Sequence, residues 1–390
     1  MSIASDPDTA RTDRSSDQWH ALGAGAFDAD PKHSRALPAR FYTEPEIFEQ
    51  ERQKIFRCTW QYVGHVSQVL ASGDYFTCQV AGENLIVIRA QDGELRAFYN
   101  VCRHRCHHLL EGAGTIKKFI VCPYHAWTYA PDGRLVNAPN AENVSGFDVS
   151  QVRLAPVRLE ISCNFVFINL DSEARPLTEQ ADGLDTDIRR LTPDLNELTF
   201  SHRLTFDIAS NWKNVEDNFL ESYHVPVAGD AHRNFIDLID YETWKIEIHG
   251  IWQTQHAQAR PESSAAYDIS EADVLDHGMW WLWPNILILR YPGNGNLMVW
   301  NQAPVAVDRT LQTFDFYFLQ ETPNESQREV IRYLDQDLQP EDVAILESVQ
   351  RGQQSSSFDQ GYYMTDYGHD NLSEHGVHHF HCLLLDALSN

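Results

Sequence analysis

Positive charge is scarce in this 390-residue chain: 30 lysines and arginines face 56 acidic residues, a net charge of −26. A nucleic-acid backbone or an anionic membrane would be repelled, so neither is expected as a partner. Long apolar runs are missing too. The most apolar stretch, residues 280–291, is interrupted by Pro284 and Asn285 and is too short to cross a bilayer. Residues 1–38 contain no apolar segment that would serve as a signal peptide or anchor, and no periodicity, so a disordered tail is expected there. Cysteine is sparse and odd in number, seven residues without framework spacing, which points to free thiols in a reducing, cytoplasmic setting. No dinucleotide or flavin fingerprint occurs, so any NAD(P)H chemistry must reach the chain through a separate protein.

What the chain does contain is concentrated between residues 102 and 125. Cys102, His104, Cys122 and His125 spell C-x-H-x17-C-x2-H, two Cys/His pairs on separate loops. A Rieske [2Fe-2S] centre needs two thiolates on one iron and two imidazoles on the other, so each loop must supply one of each. Neutral imidazole carries no charge where thiolate would. Such a cluster is therefore easier to reduce than an all-cysteine one, at roughly −150 to +300 mV against about −400 mV. The competing reading is a structural zinc site, whose ligand pairs typically have two to four intervening residues; Cys102-x-His104 is tighter. His107 and His108 beside the cluster read as polar loop groups.

The segments Asn100-Val-Cys-Arg-His-Arg and Val121-Cys-Pro-Tyr-His-Ala-Trp-Thr-Tyr, followed by Asp132-Gly133, resemble the cluster loops of Rieske non-haem iron oxygenases, and the likeness extends from about residue 41 to the C-terminus. Cys106 stands where many members carry glycine, a departure that bears on the local turn. The resemblance implies an α+β fold: a small all-β Rieske domain and a larger catalytic domain with a central antiparallel sheet of helix-grip type. It also implies an oxygenase component, a monooxygenase or dioxygenase, with a [2Fe-2S] cluster, mononuclear Fe(II), O2 as co-substrate, a separate NAD(P)H-dependent reductase and a homotrimeric assembly. Expected boundaries are a tail at 1–38, a Rieske domain with an N-terminal helix at 39–172 and a catalytic domain at 173–390.

Oxygen activation at non-haem Fe(II) typically uses two histidines and one carboxylate on one face of the metal. Glu221 and His224 are three apart, hence on one face of a helix expected from Asn211, and Asp217 joins that face. His224 is the first candidate ligand. The family pattern His-x4-His is broken here, because Gly229 occupies the second position and His232 follows three residues later. His232 is the expected second ligand, with Asp230 or another histidine as fallback. The resemblance carries the carboxylate to Asp342, over Glu341 or Glu347, although Glu341 and Asp342 also suit a helical first turn after Pro340. It carries to Glu221 the role of a bridging acid joining His125 of one subunit to His224 of the next.

Elsewhere, short β-branched and aromatic runs predict strands at 60–63, 74–80, 84–90, 95–99, 152–159 and 164–169, then a helix at 177–191, a single strand at 241–255, strands at 278–283, 286–291, 295–304 and 310–319, and a helix at 325–350. The histidine-rich stretch 374–381 is too crowded for one metal and reads as packing. Trp252, Trp280, Trp281, Trp283, Tyr291 and Trp300 read as sheet core, with a subset available to cage a quaternary ammonium group. Tyr-His-Val-Pro-Val-Ala, Trp281-Leu-Trp-Pro-Asn and Asn137-Ala-Pro-Asn resemble the subgroup acting on betaine-type compounds, so N-demethylation or hydroxylation of a quaternary amine is the expected activity. The alternatives are hydroxylation of a small aromatic acid, an electron carrier without a second iron, and a zinc-stabilised binding module.

Overall fold

The computed structural model describes residues 17–260, 264–269, 276–293 and 297–389. Two units divide the chain, Phe56–Gln180 and Met1–Ile55 with Ala181–Asn390. In the first, seven antiparallel strands run in the order Gln61–His65, Phe165–Asn169, Pro156–Ser162, Leu95–Tyr99, Glu83–Arg89, Asp74–Val80, Ala113–Thr115. The strand Glu83–Arg89 shows why this sequence folds so. Successive side chains point to opposite faces, and residues 85–88 are fully buried because both faces are covered. Leu85 and Val87 join a core with Val166 and Ile168, while Ile86 and Ile88 pack beneath Cys102, Cys122 and Tyr129. A second sheet of three short strands, Ile120–Val121, Thr128–Tyr129 and Leu135–Asn137, carries the second cysteine loop.

The other unit is built on a seven-stranded antiparallel sheet. Six strands form a meander from Ile239–His249 through Trp252–Ala259, His277–Leu282, Ile286–Arg290 and Leu297–Ala306 to Arg309–Phe318, and Thr199–Ile208 pairs with the last. The register aligns Gln255 with Met279 and Leu289 on one face, beside Trp281, Leu287, Trp300 and Phe314. The helix Trp212–Phe219 lies on that face, where the Trp281 indole donates to Glu216 Oε2 (2.8 Å). The opposite face takes the helix Leu184–Leu191, through Trp280 donating to Asp187 (2.7 Å) and Arg290 to the Leu191 carbonyl (2.5 Å).

Several expectations are corrected. Residues 241–255 form a hairpin, not one strand, because Gly250 turns the chain at φ 70°. The helix expected at 177–191 is two, Leu177–Gln180 and Leu184–Leu191, separated at Gly183, whose φ is 87°. The helix beginning at Glu325 is interrupted by a π-helical turn at Leu334–Leu338 before continuing as Gln339–Gln353. The tail is folded wherever it is described: Arg35–Pro38 pairs with Gln360–Tyr362, Phe27 stacks on His378 with ring centres 5.0 Å apart, and the Trp19 indole donates to Asp386 (3.0 Å). Residues 1–16 of that expected tail lie outside the described residues. Isolated anchors of this kind leave no periodic pattern.

The N-terminal helix also belongs elsewhere than expected. Pro45–Glu51 is part of the sheet-and-helix unit, not of the cluster unit. Glu51 accepts from Lys213 Nζ (2.6 Å) and from the Trp212 indole (2.8 Å), and both charged side chains are fully buried. Removing one partner of such a pair strands the other charge in the core, at a cost of about 3–5 kcal/mol.

Candidate metal centres and active site

The helix Trp212–Phe219 starts at Asn211, whose side-chain oxygen accepts the Lys213 N–H (3.0 Å), and ends before the expected pair. Glu221 and His224 therefore lie in the turn that follows, not on a helical face. They meet because Glu221 folds back on that turn: its carboxylate accepts the His224 N–H (3.1 Å) and is hydrogen-bonded to His224 Nδ1. A short helix, Val225–Ala228, then leads to Gly229 and to the helix Asp230–Ile236, which presents His232. The three extra residues thus become the start of a second helix.

Glu341 and Asp342, adjacent in the first turn of Gln339–Gln353, divide their work. Glu341 accepts the N–H groups of Ala231 (3.0 Å) and His232 (3.2 Å) and is bonded to His232 Nδ1 (2.8 Å). The N–H groups of a helix's first turn have no partner within the helix, which makes them natural sites for an anion. A Cβ at Gly229 would fall 2.1–2.3 Å from the Glu341 carboxyl atoms, so glycine is what lets that carboxylate in. Asp342 turns the other way, placing Oδ1 3.1 Å from His232 Nε2 and 3.9 Å from His224 Nε2.

One ligand atom each from His224, His232 and Asp342 lies within 4.8 Å of the others, and this is the one such group found among the described residues. Both Nδ1 atoms are tied to carboxylates, which fixes the rings and leaves both Nε2 atoms facing Asp342. Burial opposes a charge on His224, yet Glu221 and Asp342 outweigh it and raise its pKa. His232 is raised in the same way, by Asp342 and Glu341 against burial. The surroundings favour positive charge where the two Nε2 atoms converge, and two imidazoles with one carboxylate are the donor set that suits Fe(II). Asp230 is exposed and paired with Arg233, and Glu347 accepts the Ala209 N–H (3.3 Å), so neither fallback joins the group. Asp217 instead bonds Tyr42 (2.7 Å) and His381 (2.8 Å).

The two cysteine loops repeat one geometry. The Cys106 N–H donates to the Cys102 carbonyl (3.1 Å) and the Ala126 N–H to the Cys122 carbonyl (2.9 Å), while Cys102 and Cys122 donate to the carbonyls of His107 (2.9 Å) and Trp127 (2.8 Å). Cys106 and Ala126 are left-handed, with φ of 55° and 58°. Cys106 thus keeps the turn where a glycine is more common. Both thiols are buried, whereas His104 and His125 are exposed with ring centres 4.7 Å apart. A buried sulfur pair and an outward imidazole pair fit the two halves of a Rieske cluster. Tyr129 completes the site, its hydroxyl 3.3 Å from Cys102 Sγ while its oxygen accepts the Arg103 N–H (3.0 Å).

Residues 59–149 match the Rieske [2Fe-2S] domain, and residues 195–390 match the ring hydroxylating alpha subunit catalytic domain. The carnitine monooxygenase oxygenase subunit of Escherichia coli K12 is 39% identical over 365 residues, covering 93% of this chain and 96% of that protein. The chain is a Rieske oxygenase alpha subunit. The chloroplastic choline monooxygenase of Beta vulgaris is 30% identical over 93% of this chain and 79% of its own length. The structure of a quaternary ammonium Rieske monooxygenase, reported for carnitine oxidation by gut microbiota and inter-subunit electron transfer, superposes with a TM-score of 0.87 at 36% identity, over 93% of this chain and 97% of that one. Rieske oxygenase alpha subunits hold a [2Fe-2S] cluster and mononuclear iron, act with a separate reductase and usually form oligomers. No helix among the described residues is long and apolar enough to cross a membrane.

Beside the three converging side chains lies a pocket walled by Phe219, Phe235, Trp244, His277, Tyr291 and Trp300. Of the aromatics singled out in the sequence, only Tyr291 and Trp300 reach it. Trp280 points to the opposite sheet face, Trp252 donates to the Asp182 carbonyl (3.1 Å) and Trp281 is spent on Glu216. Phe219, Phe235, Trp244 and His277 carry no sequence signal, since each is an ordinary core residue until the sheet brings it there. Asn218 also lines the pocket, with Nδ2 3.5 Å from His224 Nε2. The histidine-rich stretch packs as expected: His375, His378 and His381 are buried in the helix His375–Ser389.

Proposed function

We propose that this chain is the oxygenase component of a system that hydroxylates a quaternary ammonium compound, with N-demethylation as the outcome where the hydroxylated carbon is a methyl on nitrogen. The observation that carries it is the pocket wall: six aromatic or imidazole rings, with Glu221 and Asp342 at one end and no lysine or arginine among the described lining residues. Ring faces attract a cation that cannot be hydrogen-bonded, by about 0.5–2 kcal/mol each. An aromatic acid would require a cationic anchor, and the pocket offers it carboxylates instead.

In this reading Cys102, His104, Cys122 and His125 hold the cluster, and His224, His232 and Asp342 hold the iron. When bound, the two groups supply stored single electrons and the site where O2 is reduced. The chain's own part is to hold those centres and the substrate in register. Glu221 and Glu341 fix the two imidazoles, and the aromatic wall orients the cation and excludes water from it. Glu221 is further assigned as the link between His224 and His125 of the partner subunit in a homotrimer, with electrons delivered by a cytoplasmic NAD(P)H-dependent reductase. Support comes from exposed His125 on the cluster loop and from the related enzyme described for inter-subunit electron transfer.

The test is a substrate screen with the holoenzyme and a reductase. Formaldehyde or hydroxylated product from quaternary amines is expected. Phenol formation from aromatic acids, with none from the amines, would sink the assignment.

A further inference from the structure

His277 is the one histidine of the pocket wall that the metal centre does not use. It is 2% exposed, no side chain among the described residues pairs with either ring nitrogen, and the Arg290 carbonyl is a weak backbone partner for one of them. Burial pushes its pKa down to about 3, with His256 adding to the effect and the nearby Arg290 carbonyl opposing it. The ring is therefore neutral in any working buffer, and a neutral imidazole carries one N–H donor and one acceptor nitrogen.

Its neighbours share the condition. Trp244 packs against it with ring centres 5.1 Å apart, Tyr291 at 5.4 Å, and Trp300 stands behind Tyr291 at 6.1 Å. The indole N–H groups of Trp244 and Trp300 are also buried and without an acceptor among the described residues. Leaving a buried donor unmade costs about 1–3 kcal/mol. Two indole donors without an acceptor and an imidazole nitrogen without a partner among the described residues, all uncharged and in one wall, exceed what holding a cation by ring faces requires, because a quaternary ammonium group takes no hydrogen bond from them.

We propose that His277, with the Trp244 indole beside it, is the specificity determinant that hydrogen-bonds an oxygen, hydroxyl or carboxylate, at the end of the substrate remote from the quaternary nitrogen. The inference rests on the quaternary ammonium reading and deepens it. The cation is held by ring faces and the far oxygen by neutral donors, so the pocket measures both ends of one small molecule. Oxygen-bearing quaternary amines are then preferred to simple alkyl ones of equal length. The donors are uncharged, so the preference does not depend on a salt bridge.

The experiment compares choline, glycine betaine and propyltrimethylammonium, the last keeping the cation but carrying no oxygen, with holoenzyme and the variants His277→Phe, His277→Gln and Trp244→Phe. Wild-type enzyme should bind at least one oxygenated amine more tightly than the alkyl one, by calorimetry and by KM. His277→Phe keeps a planar ring and should raise KM for that amine roughly tenfold while leaving the alkyl amine within about twofold, the size of one lost hydrogen bond. His277→Gln should restore part of the preference, and iron content should be unchanged throughout. Loss confined to choline identifies a hydroxyl, and loss confined to betaine a carboxylate. Should His277→Phe not fold, Trp244→Phe carries the same comparison. Equal effects on oxygenated and alkyl amines, or a wild type without preference, would overturn the role of His277 alone. Failure of wild type to bind any of the three would overturn the substrate class with it.

Discussion

The two proposed metal-binding regions are built by opposite strategies. The cluster loops bring together four residues within 24 positions, each loop closed by the same pair of backbone hydrogen bonds, so that nearly all the geometry is local. The proposed iron site draws on a turn after one helix, the first turn of a second and the first turn of a third more than a hundred residues later. Its order comes from carboxylates, Glu221 and Glu341, that grip the imidazoles from behind. A locally closed centre survives changes elsewhere. An assembled one depends on every element that carries a part of it.

That contrast is most exposed by Asp342→Ala. It removes the one proposed ligand carboxylate and leaves two imidazoles flanked by Glu221 and Glu341, so mononuclear iron and turnover should both be lost. The cluster's visible spectrum should be unchanged, because all four of its proposed ligands come from the other unit. Metal analysis showing full iron occupancy in this variant would refute the assignment.

Next in size is the buried pair that fastens the N-terminal helix. Glu51→Gln leaves Lys213 uncompensated in the core and should destabilise the sheet-and-helix unit by about 3–5 kcal/mol, read as a lower denaturant midpoint. Adding Lys213→Met removes the stranded charge and should recover most of the loss. The cluster absorbance should be lost at the same denaturant concentration in wild type and variant, since Pro45–Glu51 belongs to the other unit. A shift in that absorbance would put the helix back with the cluster.

The same local-versus-assembled difference governs what the chain's residues disclose before folding. Cys102, His104, Cys122 and His125 are readable because thiolate and imidazole at that spacing have few other uses. His224 and Asp342 are readable only beside them and by family likeness. His232 required reading through an interruption of the usual spacing, and Gly229, which permits the approach of Glu341, is the physical trace of that interruption. Trp244 and His277 were invisible: a tryptophan and a histidine in strands signal nothing until the sheet register sets them against one pocket. Gly250 does carry a mark, since an isolated glycine in a strand pattern often signals a break, but the alternation on either side of it reads through as one strand. The packing of residues 17–38 left no such mark, because Trp19 and Phe27 act singly.

Glu341→Gln tests the support behind the assembled site without touching a ligand atom. Burial opposes the charge on Glu341, yet His232 and the Ala231 and His232 N–H groups outweigh burial and lower its pKa. The amide can still face one N–H but grips Nδ1 less firmly, so iron affinity should fall by about 10–100-fold in a metal titration. Gly229→Ala, which displaces the same carboxylate from the other side, should act in the same direction. If either variant leaves iron affinity unchanged, the ring of His232 is positioned by packing alone.

The smallest effect expected is at the cluster, where local closure leaves little for a neighbour to do. Burial and the adjacent Cys102 sulfur hold the Tyr129 phenol well above its usual pKa, so the hydroxyl stays protonated and donates to that sulfur. A donor to sulfur favours the reduced, more negative cluster over the oxidised one. Tyr129→Phe should therefore lower the reduction potential, and a difference of about 1 kcal/mol between the two states corresponds to about 40 mV for one electron. Absorbance and iron content should stay as in wild type, because the backbone bonds that close the Cys102 loop do not involve the phenol. Bleaching of the cluster in this variant would mean that the loop needs Tyr129 to hold its shape, and that the cluster end is less self-contained than its two repeated turns imply.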